Sequence, residues 1–434
     1  MKSTPDGTQR PPWLWVPSLY FAEGIPYVIV TGVAVVMYKR LGVGNADIAF
    51  YTSWLALPWV LKPLWSPWVD ILRTKRFWIV TTQWLITAAL AALACCLLSA
   101  RFFVMSLSLF LLTACFSATH DIAADGFYML GLSRHEQAWW VGIRNTFYRV
   151  AMTSGNGLLI LLAGHFEARL GGIPSAWAMT LLATAGVFLL FSVWHLFILP
   201  RPAADAPVRT ERRLGSDFAA AFGSFFKKPG VGMALAFMLL YRLDEAQLAK
   251  VVPLFLLDNR GAGGLGLATG QVGLAYGTYG MLGLIGGGLA GGFLTAKYGW
   301  KAMRPIMVGA MYLPKCVFIS LAMGQPRILG WISGLITAEQ FGYGLGFTAF
   351  MLYILYFADG PHRTAHYAIC TGFMALGMMV PGLGSGWLAG RLGYPDFFIW
   401  VFCSALPGLL VVMRLQVDAQ FGRKSAEVRV GNET

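Results

Sequence analysis

Long apolar stretches separated by short polar connections make up most of the chain. A helix needs about 20 predominantly apolar residues to cross the hydrocarbon core of a bilayer. The pattern predicts an all-α membrane protein with twelve transmembrane helices, at residues 13–38, 48–70, 77–99, 102–131, 138–163, 175–199, 231–257, 269–297, 303–324, 328–357, 365–390 and 395–415. The first stretch is too long for a signal peptide and carries no small-residue cleavage site, which indicates an uncleaved span.

Composition and charge support this interpretation and orient the chain. Hydrophobic residues make up 57% of it and charged residues 12%, whereas soluble domains carry about 25% charged residues. Of the 33 lysines and arginines, 20 lie in connections on the side of the N-terminus and 8, Lys250 among them, in connections on the other side. Because short cytoplasmic loops are enriched in basic residues, both termini are expected to be cytoplasmic, in a cell inner membrane. The net charge of +13 thus reflects membrane orientation and not a nucleic-acid partner.

The longest connection divides the predicted spans six and six. It covers residues 201–230 and is rich in Pro, Ala and Arg. We expect an N-terminal half (1–200), a cytoplasmic linker (201–230), a C-terminal half (231–415) and a cytoplasmic tail (416–434). Spans two, five, eight and eleven each end in small residues, a basic residue and a short turn, which indicates a three-helix repeat nested within each half.

Twelve spans, a basic central loop and three-helix repeats resemble the major facilitator superfamily. That family's loop signature occurs twice, imperfectly. The first copy has Asp70, Arg73 and Arg76, with Ser66 where the family usually has Gly, and the second copy has Lys297 where the first has Asp70. The resemblance implies the fold of that family and a gating role for the loop residues Asp70, Arg73, Arg76 and Lys297.

Three segments carry a narrower resemblance, to the AmpG muropeptide permeases and the related acetyl-coenzyme A transporters. They are "FAEGIPYVIVTG" (21–32), "LKPLWSPWVD" (61–70) and "SATHDIAADGFYM" (117–129). The resemblance implies proton-driven import of muropeptides, anhydro-muramyl sugar–peptides, by a monomer whose two halves rock about a midplane site. Coupling would depend on protonation of Glu23 or of the Asp121/Asp125 pair.

Charged residues inside spans are costly and are functional candidates by default. Asp121 and Asp125 are four residues apart and share a helix face, whereas His120 lies about 100° away from that face. Arg144 and Arg149 begin the next span at a similar depth, so we expect them to meet the two aspartates. Two interpretations stay open, a fixed brace between two helices and a moving gate or proton relay.

Two further charged residues lie in the first two spans. Lys62 precedes Pro63 in a helix that prolines interrupt, and it is expected to neutralise an anionic substrate or Asp121, or else to extend to the membrane interface. Glu23 lies near the midplane, before Gly24 and Pro26. It is either a carboxylate that bonds a neighbouring helix at a kink or one that binds substrate or protons.

The C-terminal half has its own charged cluster. Arg242 and Glu245 are three residues apart and could pair, and together with Asp244 they are expected to line a cavity shared with Glu23. Glu339 is a weaker candidate for the same site. Lys315 lies on a span that is usually peripheral in the resembled fold, and is expected to be structural. Six tyrosines on these spans are expected to pack, or alternatively to stack on sugar rings: Tyr20, Tyr27, Tyr148, Tyr241, Tyr276 and Tyr279.

The sequence contains no pattern typical of an enzyme. It lacks a Walker A motif, a Ser-His-Asp arrangement and a zinc-protease motif, and its six cysteines lie in apolar stretches without metal-ligand spacing. We therefore expect no catalytic residues, cofactor or metal, and we expect protons, membrane lipids and a small anionic sugar–peptide as partners. The alternatives are a siderophore or acyl-coenzyme A permease of the same fold and, less favoured, a non-transporting membrane sensor or an enzyme acting on a lipid-linked substrate.

Overall fold

A computed structural model describes residues 10–206, 219–220, 222–360, 363–418 and 421. Within helices, the side chains of residues 70–71, 134–135, 137–139, 141 and 363–364 are not described. Every regular element in these ranges is helical. Most of the predicted linker and the predicted C-terminal tail lie outside the described residues.

Twelve long helical segments run through the described part of the chain. They are α1 (Pro12–Arg40), α2 (45–72), α3 (Lys75–Cys96), α4 (Phe102–Gly131), α5 (134–170), α6 (Ile173–Ile198), α7 (231–257), α8 (Thr269–Tyr298), α9 (Trp300–Gly324), α10 (Leu329–Ala358), α11 (Arg363–Leu392) and α12 (Tyr394–Arg414). The bounds agree with the twelve predicted spans to within a few residues at most ends.

Nine of the twelve helices described here are long and apolar enough to cross a membrane, namely α1, α3, α4, α6 and α8–α12. The other three are interrupted or begin with polar residues. Helix α2 consists of Asn45–Trp54 and Leu57–Leu72, and α7 of Val231–Leu240 and Leu243–Leu257. All three nevertheless pack among the apolar helices.

Local sequence explains where α2 is interrupted. Pro58 begins its second segment and Pro63 and Pro67 follow inside it, and a proline removes a backbone donor and clashes with the carbonyl four residues earlier. Irregular backbone at membrane depth is tolerated where it lines a cavity, and the second segment of α2 does so.

Three helices contain a π-helical stretch at the interface between the halves: Ile29–Val33 in α1, Ser154–Leu159 in α5 and Gly273–Gly280 in α8. Such stretches are rare and occur mostly at functional sites. In α5 and α8 they cross very closely, because a Cβ atom on Gly277 would lie 1.7 Å from the carbonyl oxygen of Asn156. Glycine is therefore required at this crossing.

The helices form two groups of six. In the first group α1 packs on α4 and α5, and α3 packs on α4 and α6. In the second, α10 packs on α8 and α9, and α7 packs on α11 and α12. The groups meet where α11 packs along both segments of α2 and where α5 crosses α8. The protein thus has two six-helix halves with a seam of four helices between them.

The two ends of the helix bundle differ in their connections. We call the end that carries residues 73–76 and 297–301 the basic end, and the end that carries residues 41–44 and 391–393 the far end. At the basic end, Asp205 accepts hydrogen bonds from the backbone N–H groups of Lys75 and Arg76, at 2.7 and 3.0 Å. The first residues after α6 thereby cap the otherwise unsatisfied N-terminus of α3.

Candidate functional site

A cavity of about 870 Å³ lies between the two halves. Its wall is formed by α1, α2, α4 and α5 on one side and by α7, α8 and α11 on the other. The lining begins near Val36 and Ser53 and continues to Arg73, Leu130 and Ala204 at the basic end. The cavity therefore opens towards the basic end, and its size falls in the range that encloses whole small-molecule ligands.

Three carboxyl groups meet in the wall of the N-terminal half. One oxygen each from Glu23, Asp121 and Asp125 lies within 4.8 Å of the others. The spacing of four residues places both aspartates on one face of α4, as predicted, and α1 brings Glu23 to them. We call these three residues the carboxyl cluster.

Two cations neutralise the two aspartates. Lys62 of α2 forms an ion pair with Asp121, and Arg144 of α5 forms one with Asp125, Nη2 to Oδ1 at 2.9 Å. The expected pairing of Arg144 with an aspartate is confirmed. Lys62 was expected to neutralise a substrate or Asp121, or to extend to the membrane interface. In the structure it pairs with Asp121 in the cavity wall.

Aromatic rings hold Arg144 in place. Its guanidinium carbon lies 4.5 Å from the ring centre of Tyr20 and 5.3 Å from that of Tyr128, within the range of cation–π attraction. The hydroxyl of Tyr20 also donates a hydrogen bond to Asp125, at 3.2 Å. Asp125 is thus held from two directions.

Glu23 has no such partner. Its side chain is 6% exposed, and among the described residues Oε2 has no hydrogen-bond partner and no cation lies within ion-pair distance. A buried carboxylate without a counter-charge is costly, so the cluster is best neutralised when one of its three carboxyl groups carries a proton. The three oxygens could also coordinate a metal ion, but Lys62 and Arg144 already supply two positive charges, which favours a proton.

Arg149 does not join this cluster, so that part of the sequence prediction is wrong. Its guanidinium packs against α8, where a Cβ atom on Gly288 would lie 3.3 Å from Nη1. The reason is helical geometry, because five residues beyond Arg144 correspond to a rotation of about 140°. Arg149 thereby faces the seam between the halves.

His120 lies off the carboxyl face, as expected. It is fully buried, and its Nε2 atom lies 3.0 Å from the amide nitrogen of Gln83. The chain of hydrogen bonds continues from Gln83 to His195 at 3.0 Å and from His195 to Ser18 at 2.9 Å. This polar chain connects α4, α3, α6 and α1 within the N-terminal half.

The charged cluster of the C-terminal half differs from the prediction. Lys315 is its centre, with Nζ 2.5 Å from Asp244 Oδ2 and 3.4 Å from Glu245 Oε2. These three side chains are almost completely buried, as is Glu339. Lys315 is therefore a buried counter-charge, and the expected pairing of Glu245 with Arg242 is wrong.

Arg242 lies at the break in α7, which explains the failed pairing. The chain turns at Tyr241 and Arg242, so the spacing of a continuous helix does not apply between Arg242 and Glu245. Arg242 instead donates a hydrogen bond to the hydroxyl of Tyr343 and lies 4.8 Å from the ring centre of Phe347. It lines the cavity.

Lys250 was missed at the sequence level because it was counted with the outer connections. It lies inside α7, is 8% exposed and lines the cavity. Its Nζ donates to the hydroxyl of Thr52 in α2, at 3.1 Å. The signal was nevertheless present, because Lys250 lies within the predicted span 231–257 and a charged residue inside a span is a functional candidate by default.

The far end is closed by polar contacts between the halves. Asp258, just after α7, forms an ion pair with Lys39 of α1 and accepts hydrogen bonds from Asn45 of α2, at 2.8 Å, and from Tyr394 of α12. We call these four residues the far-end latch. Burial acts to raise the pKa of Asp258, but the hydrogen bonds from Lys39, Tyr394 and Asn45 outweigh it and hold the pKa below its ordinary value.

A second contact reinforces the closure. Glu167 at the end of α5 accepts a hydrogen bond from Thr269 of α8, at 2.7 Å, and forms an ion pair with Arg40, at 3.0 Å. The first of these bonds joins the two halves. The protein is thus open at the basic end and closed at the far end.

The predicted gating residues lie at or near the basic end. Arg73 lines the cavity mouth, and Arg76 donates to the backbone carbonyls of Leu196 and Leu199. Lys297 is exposed and lies 5.0 Å from the ring centre of Tyr298. The side chain of Asp70 lies outside the described residues.

The six candidate tyrosines separate into two groups. Four of them line the cavity: Tyr20, Tyr27, Tyr148 and Tyr276. Tyr241 is fully buried and stacks on Phe350 in the C-terminal half, whereas Tyr279 is 46% exposed.

Known proteins resemble this chain over nearly its whole length. Among the relatives that match it in sequence, the anhydromuropeptide permease of Escherichia coli (strain K12) is 24% identical over 93% of this chain and 80% of its own. A Rickettsia felis protein named transporter AmpG 4 is 27% identical over 92% of this chain and 94% of its own. The crystal structure of a POT family transporter in complex with a thioalcohol-conjugated peptide superimposes with a TM-score of 0.70, at 11% identity, over 92% of this chain and 94% of that one.

These proteins are transporters and not enzymes. The family model described as Major Facilitator Superfamily matches residues 18–360, which include the carboxyl cluster and the crossing of α5 with α8. The chain therefore belongs to the major facilitator superfamily and is a multi-pass membrane transporter.

Proposed function

We propose that this transporter imports anhydro-muropeptides across a cell inner membrane and that proton entry drives the import. The observation that carries the proposal is the carboxyl cluster, in which Glu23, Asp121 and Asp125 share two cations at the wall of the central cavity. One proton makes this group neutral, and loss of that proton leaves a net negative charge. Occupancy of the cavity and protonation are thereby linked electrostatically.

The charge distribution supports an orientation of the transporter in the membrane. If the basic end faces the cytoplasm, as the excess of basic residues in its connections favours, the cavity is open to the inside. The cycle then requires the far-end latch to break and the basic end to close. The two six-helix halves would rock about the seams of α2 with α11 and α5 with α8, while the linker (201–230) keeps them joined.

The cargo is supported by size, by lining and by the relatives. The volume of about 870 Å³ suits a cargo larger than a single sugar. Tyr27, Trp59 and Tyr148 offer aromatic surfaces, and charged side chains on both halves suit a cargo with several ionised groups. The relatives that match nearly the whole chain are named as anhydromuropeptide permease and AmpG transporter.

Uptake into proteoliposomes tests the proposal. Purified protein is reconstituted, and labelled anhydro-muropeptide is supplied outside with or without an inward proton gradient. We expect accumulation only with the gradient, and competition by unlabelled muropeptide but not by a ferric siderophore or acyl-coenzyme A. Competition by one of these two compounds instead would reassign the cargo, and binding without flux would favour a membrane sensor.

A further inference from the structure

Lys250 is a buried cation whose counter-charge is missing from the described chain. Its side chain is 8% exposed, and its ammonium group donates to the hydroxyl of Thr52 at 3.1 Å. No carboxylate among the described residues lies within ion-pair distance of it. An isolated charge at membrane depth is costly and marks a functional site by default.

The other buried lysines provide the contrast. Lys62 pairs with Asp121, and Lys315 lies between Asp244 and Glu245. Both therefore have a carboxylate from the chain itself. Lys250 has only a neutral hydroxyl, and it faces the cavity.

The geometry around Lys250 leaves room for a ligand. An ammonium group has three hydrogen-bond donors, of which Thr52 takes one. The hydroxyl of Thr52 is itself anchored, because it donates to the backbone carbonyl of Ile48 at 2.7 Å. The stem of Lys250 packs against α11, where a Cβ atom on Gly382 would lie 3.4 Å from its Cγ. The ammonium is thus held in position with two donors free.

Arg242 adds a second cation on the same helix. It lines the cavity at the turn just before the second segment of α7, the segment that carries Lys250. It too lacks a carboxylate within ion-pair distance among the described residues, since it donates to a tyrosine hydroxyl. The cavity therefore has carboxyl groups paired with cations in the wall of the N-terminal half and cations without a carboxylate partner among the described residues on α7.

We propose that Lys250 binds a carboxylate of the cargo, and that this contact orients the cargo with its anionic part towards the C-terminal half. The identity of the cargo rests on the proposed function. If the cargo is an anhydro-muropeptide, the carboxylate belongs to its peptide part. Thr52 is the positioning residue that holds the ammonium group when the cavity is empty. Arg242 supplies a second site for a cargo with more than one anionic group.

Binding to the purified protein in detergent tests this assignment. The ligands are an anhydro-muropeptide, its derivative with every peptide carboxyl group amidated, and the free peptide. The variants are Lys250→Met, which keeps the apolar stem, Lys250→Arg, which keeps the charge, and Lys301→Met as a matched control at an exposed lysine of the basic end.

The expected results depend on charge alone. A hydrogen bond to a charged group contributes about 1.5–3 kcal/mol, so Lys250→Met should weaken binding of the carboxylate ligands by about tenfold or more. The amidated ligand should bind wild type and Lys250→Met equally weakly. Lys250→Arg should retain most of the affinity, and Lys301→Met should behave as wild type.

Two outcomes would overturn the assignment. In the first, which needs no variant, the wild type binds the cargo with free carboxyl groups and the amidated cargo with equal affinity. In the second, folded Lys250→Met binds the carboxylate ligands as tightly as the wild type does. Failure of the proposed function is distinguishable from both. If the wild type transports no anhydro-muropeptide but binds the free peptide in a manner that depends on Lys250, the assignment stands and the cargo changes. If it binds none of the carboxylates, both proposals fall.

Discussion

Glu23 differs from its two neighbours in the carboxyl cluster in one respect that decides its role. Asp121 and Asp125 each have a cation within ion-pair distance, and Glu23 has none among the described residues. A carboxyl group that gains and loses a proton during a cycle must be free of a permanent counter-charge. We therefore expect proton coupling to be more sensitive to substitution of Glu23 than to substitution of either aspartate.

Glu23→Gln should uncouple transport from the proton gradient without abolishing binding of the cargo. The amide imitates the protonated carboxyl group, so exchange of labelled for unlabelled cargo across proteoliposomes should persist. Gradient-driven accumulation should fall to the level seen without a gradient. Asp396→Asn, which removes an exposed acid at the start of α12, is the control and should accumulate cargo normally. Normal accumulation by Glu23→Gln would remove it from the mechanism.

The buried cluster around Lys315 is expected to act on stability. Lys315→Met leaves Asp244 and Glu245 without their cation, and breaking a buried ion pair costs about 3–5 kcal/mol. We expect a lower thermal unfolding temperature and poor yield in the membrane. The double variant Lys315→Met/Asp244→Asn should recover part of the loss, because it removes one of the two stranded charges. A single variant as stable as the wild type would contradict this description.

Single-residue predictions from the sequence succeeded where one helix determines the answer. The shared face of Asp121 and Asp125 and the displacement of His120 follow from the helical repeat alone. Arg149 was misplaced and Glu245 was given the wrong partner, because these contacts are set by packing between helices. Lys250 was counted with a connection although it lies within a predicted span, and its lack of a neighbouring acid is revealed only by the tertiary structure.

The ends of several helices, and not their middles, keep the far end closed. Asp258 follows α7, Lys39 ends α1, Asn45 begins α2 and Tyr394 begins α12. Asp258 and Tyr394 belong to the C-terminal half, and Lys39 and Asn45 belong to the N-terminal half. Rotation of the halves therefore separates one pair from the other. The far-end latch is therefore well placed to report opening of the cavity to the other side.

Asp258→Asn should shift the protein towards the state that is open at the far end, because it removes the ion pair with Lys39. Spin labels at the exposed far-end positions Leu98 and Ile328, in a background without native cysteines, would measure the separation of the halves. The distance distribution should gain a longer component. Exchange of the charges in Lys39→Asp/Asp258→Lys should largely reverse it, whereas Arg101→Gln, at an exposed far-end residue, should not lengthen it.

The latch itself should not respond to pH in the working range. The pKa of Asp258 is lowered in the folded protein. The stabilisation by this carboxylate is therefore complete above its unfolded-state pKa of about 4, and it is lost only as the pH falls through the lower folded-state pKa. In the Glu23→Gln variant, whose carboxyl cluster is already neutral, the same spin-label distances should therefore be constant between about pH 8 and about pH 5. A transition at the far end of that variant within that range would place a pH-sensitive group in the latch.

Elements were predicted better than their interruptions. Apolar length located all twelve helices, because the thickness of the bilayer sets the length of a span. The π-helical stretches and the turn at Tyr241 and Arg242 were not predicted, since they depend on contacts between the halves. Only the prolines of α2 gave a local signal for a break.

In the whole molecule the cavity is open at the basic end and closed at the far end. The halves are in contact at the far end, where the latch and Glu167 join them, and separated at the basic end, where the cavity opens. Two poles face each other across that cavity, the carboxyl cluster on the N-terminal half and Lys250 with Arg242 on the C-terminal half. A cargo that contacts both poles favours closure of the halves around it, which is the step that proton binding must permit.

In the proposed mechanism protons and cargo cross the membrane together, and this coupling is directly measurable. Proteoliposomes that contain the protein and an internal pH-sensitive dye are given anhydro-muropeptide outside, without an imposed gradient. We expect the interior to acidify when cargo is added, in wild type but not in Glu23→Gln. Entry of labelled cargo without acidification of the interior, in vesicles that retain a test pH gradient, would contradict proton-coupled import.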